Sequence, residues 1–323
     1  MLITDYAWLI VLVALTADAL IGDPDWLWRR LAHPVVLIGG LIGWLDRALN
    51  RETWSATQRK IGGIVAISAL IAITGIIGFF LQQVLRQTEG GTVALGLIAS
   101  TLIAQRSLYQ HVAKVRAGFA AGGLAEARQA VAMIVGRDPE QLDEAGVSRA
   151  AVESCAENFS DGVVAPVFWL ALFGLPGILI YKAINTADSM IGHRNARYEQ
   201  FGWAAARLDD LLNLAPARLS GALLALAAPL ARGSIARAWQ TMRRDATKHR
   251  SPNAGWPESA MAGALGIALA GPRIYGGETV DDPFLNAEGR QVATPDDIGR
   301  ALRVMLGGCL LQAILYAALL AVL

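Results

Sequence analysis

Charge is what this chain has least of. Only 17% of its 323 residues are Asp, Glu, Lys or Arg, against about 25% in an ordinary soluble domain, and the mean hydropathy is +0.42. Such a composition excludes a freely soluble globule and predicts an integral membrane protein. Cysteine is nearly absent: Cys155 and Cys309 stand alone and far apart, which excludes a disulfide framework and a cysteine metal motif. The histidines, at positions 33, 111, 193 and 249, show no metal spacing. With a formal net charge of +1 and no interleaving of aromatic with basic residues, no nucleic acid is expected as a partner. A P-loop pattern and a serine-hydrolase elbow are both missing. The cluster Gly39, Gly40 and Gly43 lies in an apolar run with no strand before it, so it is not a dinucleotide fingerprint.

What is present is a dense set of acids, amides and bases between Val147 and Leu219, wrapped around an apolar centre. Ser148 is placed to cap a helix running to about Asn158, with Gly162 as its stop. On that helix Glu153, Glu157 and Asp161 follow at i, i+4 spacing and would share one face. Like charges at that spacing destabilise a helix slightly, so a bound cation or cationic ligand is expected to offset them. A second set follows: Lys182, Asn185, Asp188 and Ser189, then Arg194 and Arg197, then Asp209, Asp210 and Asn213. Oxygen donors without cysteine or clustered histidine suit magnesium rather than zinc. The plain alternative for any one of these residues is a solvated helix face. What remains is chemistry on phosphates with magnesium, by electrostatics and positioning.

Taken in order, residues 6–22 read as a first span, retained because MLITDYAW has no basic n-region and no cleavage signal follows. It carries Asp18, an intramembrane acid and therefore a functional candidate, and closes on Gly22, Asp23 and Pro24. Arg29 and Arg30 then put the N-terminus outside and this loop inside. His33 and Pro34 open a run to Leu45 that falls short of the roughly 20 residues a crossing takes, so an interfacial or re-entrant helix is expected. His33 itself reads as a structural hydrogen-bonder more than a ligand. Residues 61–81 form the cleanest span and 92–104 a short return. Residues 106–162 are expected as a cytosolic helical pair broken at Ala121, Gly122 and Gly123, its second member ended by Gly136, Arg137, Asp138 and Pro139. Residues 163–180 are broken by Gly174, Leu175, Pro176 and Gly177, a pattern that predicts a hairpin, with an ordinary span as the competing reading.

Residues 219–231 and 259–271 are also short, and Arg232, Arg237, Arg243, Arg244, Lys248 and Arg250 lie between them, which keeps that loop cytosolic. The turn Ser251 to Glu258 offers Asn253, Trp256 and Glu258 as ligand-lining residues, or is punctuation alone. A hairpin through Tyr275, Gly276 and Gly277 is expected, and Thr294 with Pro295 starts the closing helix. The expected fold is all-α: a polytopic integral membrane protein with several full spans, broken or re-entrant helices, and cytosolic helical loops forming the site. It is read as one membrane-embedded domain, 1–323, with loops 105–162, 185–218 and 232–258 converging.

At these residues the chain resembles the CobD/CbiB family, the integral-membrane adenosylcobinamide-phosphate synthases of cobalamin biosynthesis. Asp18 with Gly22, Asp23, Pro24, His33, Pro34, Val35 and Gly39 is similar to the family's N-terminal signature. Glu153, Glu157, Asn158, Asp161, Gly162 and Pro166 resemble its central acidic motif. Lys182, Asn185, Thr186, Asp188, Ser189, Met190 and Gly192 resemble the next. Phe201, Gly202, Asp209, Asp210, Asn213, Pro216, Ala217, Arg218 and Leu219 continue it, and SPNAGWPES from Ser251 is similar to a further box. Five motifs in the right order cover almost the whole chain.

The resemblance implies an acid–amine ligase of the cytoplasmic (cell inner) membrane, its site on the cytosolic side. The free propionate of adenosylcobyric acid would be joined to aminopropanol phosphate, or aminopropanol, at the expense of ATP, with magnesium as cofactor. It assigns Glu153, Glu157 and Asp161 to metal binding or base duty, and Asp188, Asp209 and Asp210 to a second metal or ATP contact. Lys182, Arg194 and Arg218 are its phosphate contacts. Asn185, Asn213 and Asn253 would bond the corrin's amide rim and Trp256 its apolar face. Ser189 and Glu258 complete the expected ligand contacts, beside Asp18, Asp23 and His33. Membrane lipid, late cobalamin-pathway enzymes and a second copy of the chain are the expected partners. Two other classes stay open: a non-catalytic AmpE-like membrane sensor, and a corrinoid carrier or transporter, which would show an inverted repeat not found here.

Overall fold

The computed structural model describes residues 7–135, 139–275, 278–280 and 282–322. In chain order the helices are α1 (Ala7–Leu20), α2 (Asp25–Trp28), α3 (Pro34–Leu49), α4 (Ala56–Arg86), α5 (Gly91–Ser100), α6 (Gln105–Ala132), α7 (Glu144–Phe159), α8 (Ala165–Ile191), α9 (Trp203–Leu212), α10 (Leu214–Ala227), α11 (Ile235–Asp245), α12 (Gly255–Leu265) and α13 (Pro295–Val322). Strand is confined, among the described residues, to β1 (Leu269–Ala270), β2 (Arg273–Tyr275), β3 (Glu278–Val280) and β4 (Phe284–Leu285). β1 pairs antiparallel with β4, and β2 with β3. The second pairing is the expected hairpin, although Gly276 and Gly277 lie outside the described residues, as do Gly136, Arg137, Asp138 and Tyr6. Among the described residues five helical runs are long and apolar enough to cross a membrane: Ala56–Arg86, Gly91–Ala132, Glu144–Ile191, Leu214–Ala231 and Pro295–Leu319. The protein is all-α and polytopic, as its sequence predicts.

Two compact units share the chain, and the first comprises residues 1–104, 165–213 and 316–323. Within it α4 is the long straight element, started by a capping box in which Ser55 Oγ accepts from Gln58 N and the Gln58 side chain accepts from Ser55 N. α3 turns Ile38, Ile42, Leu45 and Asp46 inward at helical spacing, onto a core shared with Ile67, Leu70, Ala183 and Phe201. At 16 residues α3 reaches about 24 Å, short of the roughly 30 Å bilayer core.

The break in α8 falls where the sequence places it. Gly174 adopts φ 68 and ψ −151, a conformation open to glycine alone. A Cβ on Gly177 would collide with the Trp169 carbonyl oxygen and lie 2.7 Å from Phe173 Cβ. In a straight helix residues eight apart, as Trp169 and Gly177 are, are separated by about 12 Å, so the chain folds back on itself at Gly174. The restart leaves an amide without a helical partner, and Gln82 Oε1 on α4 accepts from Leu175 N at 2.8 Å.

The second unit comprises residues 105–164 and 214–315. α6 breaks at Gly122 and Gly123, and a Cβ on Gly118 would sit 2.9 Å from Ala127 N, so its halves form the expected helical pair. α7 departs from expectation at both ends. Its cap is Asp143, whose carboxylate accepts from Gly146 N at 2.7 Å, while Ser148 lies buried inside the helix. Gly162 is no stop: the chain passes through a π-turn, Ser160–Val164, straight into α8. Glycine after a helix ends it only when the backbone turns left-handed, and here continued helical bonding keeps amides in an apolar setting satisfied. α12 is buried along nearly all its length, and small residues bring α11 against it, with Ala238 Cα 2.7 Å from where a Gly263 Cβ would stand.

Gln82→Leu removes the side-chain acceptor of the Leu175 amide, and leaving that amide unpaired should cost about 1–3 kcal/mol. A lowered melting midpoint in detergent, with the exposed neighbour Gln83→Leu unchanged, is the expected result.

Candidate functional site

The second half of α8 carries Tyr181, Asn185 and Asp188 at i, i+4, i+7, one stripe of the helix, and α9 with its C-cap carries Asp209 and Asn213 at i, i+4. These residues meet. Asn185 Nδ2 donates to Asp209 Oδ1 at 3.2 Å, Asn213 Nδ2 donates to Asp209 Oδ2 at 3.0 Å, and Tyr181 Oη donates to Asn213 Oδ1 at 3.0 Å. Asp209 is 8% exposed. Burial first, then the charge of Asp188, push its carboxyl up to about 7 from the usual 3.8, with the two amides pulling the other way and Asp210 adding a smaller push. The neighbour Asp210 faces outward, 3.4 Å from Arg207 Nη1 on the same helix. The pair in the sequence is therefore split between an inward acid and a surface one. Lys182 is half-buried one position along from the stripe, Ser189 bonds back to Asn185 O, and Arg194 is exposed in the loop after α8.

Asp18 is buried on α1. Asp23 and His33 together cap α3. His33 Nδ1 accepts from Val35 N at 3.1 Å at the start of α3, so the neutral ring carries its proton on Nε2 and donates it to Asp23 Oδ1 at 3.1 Å. Nothing in the sequence pattern separates Asp46 from other acids, yet it is buried and accepts from Arg197 Nη2 at 2.8 Å and from Asn50 Nδ2 at 2.8 Å.

In the second unit Glu153 and Glu157 keep their i, i+4 spacing on α7, while Asp161 lies beyond the helix, in the π-turn. Glu153 is buried and its Oε1 accepts from Ala270 N at 2.7 Å, which ties it to β1, while Glu157 is exposed and Asp161 half-buried at the π-turn. The π-turn also shifts residues beyond Ser160 off the 3.6-residue register that aligned them. Arg218 stands over the Trp256 ring, 4.5 Å from its centroid. Ser251 Oγ accepts from Asn253 N and Ala254 N, and His249 Nδ1 accepts from Ser251 N, so the Ser251 to Glu258 turn is held from within. His249 Nε2 lies 3.7 Å from Glu258 Oε1. Asn253 and Glu258 are both buried. Tyr181 and His249 were invisible as site residues in the sequence; Tyr181 is betrayed only by its four-residue spacing to Asn185.

Among the described residues no group of three or more His, Cys, Asp or Glu side chains is disposed to hold a metal ion, so an all-protein magnesium cage built on α7 does not fit. Asp188 and Asp209 fit a different arrangement. Magnesium that arrives with nucleotide phosphates needs only one or two carboxylates, and Asp209 keeps lone pairs beyond the two amide bonds it accepts.

Comparison with known proteins agrees with these motifs. The CobD/Cbib protein family model matches residues 11–305. Proteins named Cobalamin biosynthesis protein CobD are similar over nearly the whole chain: that of Rhizobium meliloti (strain 1021) is 51% identical over 313 residues, 96% of each chain. That of a Sinorhizobium species is 52% identical over 308 residues, 94% of this chain and 95% of its own. That of Rhodobacter capsulatus is 51% identical over 292 residues, 90% of each. No solved structure matches.

Asn213→Leu removes the acceptor of the Tyr181 hydroxyl bond and one donor to Asp209, so a loss of about 1–3 kcal/mol is expected, whereas Asp210→Asn should stay within about 0.5 kcal/mol; thermal unfolding in detergent reads both. A pH dependence follows from Asp245, which is buried. Burial raises its carboxyl, but Arg244, Lys248 and the Asn286 amide outweigh that and hold it at about 2, below the usual 3.8. Its contribution is therefore full above about pH 4 and fades as pH falls toward 2. The wild-type melting midpoint should drop across that window, and Asp245→Asn should lower it at neutral pH and flatten the acid slope.

Proposed function

The chain belongs to the CobD/CbiB family, and on that premise we propose that it acts in cobalamin biosynthesis as an acid–amine ligase. The free propionate carboxylate of adenosylcobyric acid is joined to (R)-1-aminopropan-2-ol O-phosphate, or to aminopropanol, with consumption of ATP. The observation that best supports phosphate chemistry is the buried Asp209 carboxylate, ringed by Asn185 and Asn213 and facing the charge of Asp188.

A carboxylate does not react with an amine until it has a leaving group. Transfer of the terminal phosphoryl group of ATP to the propionate oxygen gives an acyl phosphate; the amine nitrogen then attacks the carbonyl carbon, phosphate leaves with its bonding pair, and the nitrogen gives up a proton. Asp188 and Asp209 would hold magnesium, which when bound shields the polyphosphate charge. Asn185 and Asn213 fix the orientation of Asp209, and Tyr181 fixes Asn213. Lys182 and Arg194 are assigned to phosphate oxygens, as is Arg218, whose guanidinium is already oriented by Trp256. Glu157 or Asp161 takes the ammonium proton. Asn253, Trp256 and Glu258 are assigned to the corrin's amide rim. Glu153, bonded to β1, is assigned a structural role. The basic residues between Arg232 and Arg250 support a cytosolic site in the cytoplasmic membrane.

Purified protein in detergent, given adenosylcobyric acid, aminopropanol phosphate and magnesium ATP, should yield the amide by mass. Asp209→Asn and Asp188→Asn should each cut turnover at least about 100-fold, on the scale of removing one transition-state contact, with folding retained. Corrinoid binding without any amide product would replace the ligase by a carrier or sensor.

A further inference from the structure

Apart from the residues assigned above, the second unit contains a cleft of about 860 Å³ between α11 and the turn that follows β4. Arg237, Arg243 and Arg244 line it from α11 and Arg290 from the opposite wall, with Glu288 the one acid among the described lining residues. The helix is built to present them: Ala238, Thr241, Met242 and Asp245 are buried at i, i+3, i+4, i+7, which leaves the positions between them on the open face.

The four arginines differ in what holds them. Arg290 grips both oxygens of Asp297 at 2.8 and 2.7 Å. Arg244 grips both oxygens of Asp245 at 3.0 and 2.9 Å and reaches Glu288 at 3.1 Å. These two are locked in orientation by their carboxylates. Arg237 and Arg243 have no acidic partner among the described residues. Several guanidiniums around one concavity repel each other, and less strongly hydrated walls make that repulsion larger than in bulk water. A phosphate group answers it best, because guanidinium forks match its oxygens in pairs. Backbone completes the cleft: Gly266 adopts φ 70, and a Cβ there would lie 3.9 Å from Arg237 Nη1. Trp239, 41% exposed, adds an aromatic face at the rim.

We propose that this cleft is a binding site for a phosphate-bearing anion, with Arg237 and Arg243 as its free charges and Arg244 and Arg290 as its fixed walls. The site requires only an anion and stands apart from the ligase reading. A soluble phosphate ester and a lipid headgroup present the same chemistry, so the test separates them. Full-length protein is reconstituted in phosphatidylcholine nanodiscs and titrated with pyrophosphate by calorimetry. Saturable binding that weakens with salt, and that falls at least about tenfold in Arg237→Gln/Arg243→Gln, about 1.4 kcal/mol, is the expected result. Since neither residue makes an ion pair among the described residues, the variant should melt with the wild type. Arg237→Lys/Arg243→Lys should bind between the two. Repeating the titration in phosphatidylglycerol discs assigns the source: blocked binding means a lipid headgroup occupies the cleft, and unchanged binding means a soluble ligand. Absence of binding in phosphatidylcholine discs, or binding that the double glutamine variant keeps in full, overturns the proposal. No corrinoid or amine enters the measurement, so it stands or falls separately from the ligase assay.

Discussion

A backbone amide inside hydrocarbon has no water to bond, and that constraint shapes the chain from α4 onward. Where α8 breaks at Gly174, the restarted helix exposes an amide at Leu175, and Gln82 on α4 supplies its acceptor. The reversal works because glycine tolerates the positive φ at 174 and leaves room at 177 for the Trp169 carbonyl. Everything polar on the second half of α8 depends on that turn. Without it Tyr181, Asn185 and Asp188 would continue along the first half's direction instead of returning to meet α9.

The buried acid this produces is held in tension. Burial and the charge of Asp188 favour the protonated form of Asp209, while two amides favour the anion, and the result is a carboxyl pushed up to about 7. An apolar surrounding alone would leave an acid neutral, and a fully bonded one would leave it permanently charged. Asp245 shows the opposite resolution in the second unit, where two cations and an amide overcome burial and hold the carboxyl at about 2. The same side chain thus serves as a poised group in one unit and as a fixed anchor in the other, according to its partners.

The motifs were legible because their spacing follows helix geometry. Asn185 and Asp188, and Asp209 and Asn213, lie on single stripes of α8 and α9, so the sequence alone groups them correctly within each helix. The same rule reaches only to the end of α7, because the π-turn at Ser160–Val164 takes Asp161 off the register that Glu153 and Glu157 share. Ser148 fails as a cap for a related reason: Asp143 upstream offers an equally good acceptor, and local propensity cannot choose between them. The arginine cleft is not legible at all. Arg290 is distant in sequence from α11, and a run of basic residues reads as a topology signal until the turn after β4 closes on it.

By itself the sequence determined what periodicity, composition and glycine placement encode: an all-α membrane chain, broken at Gly122, Gly123 and Gly174, with motifs ordered as in the CobD/CbiB family. Those properties are local, each set by residues a turn or two apart. Only the tertiary structure decided which acids face inward, which bases keep a free charge, and which amide satisfies the break in α8. Those outcomes rest on burial and on partners contributed by distant segments, and burial is a property of the packed chain.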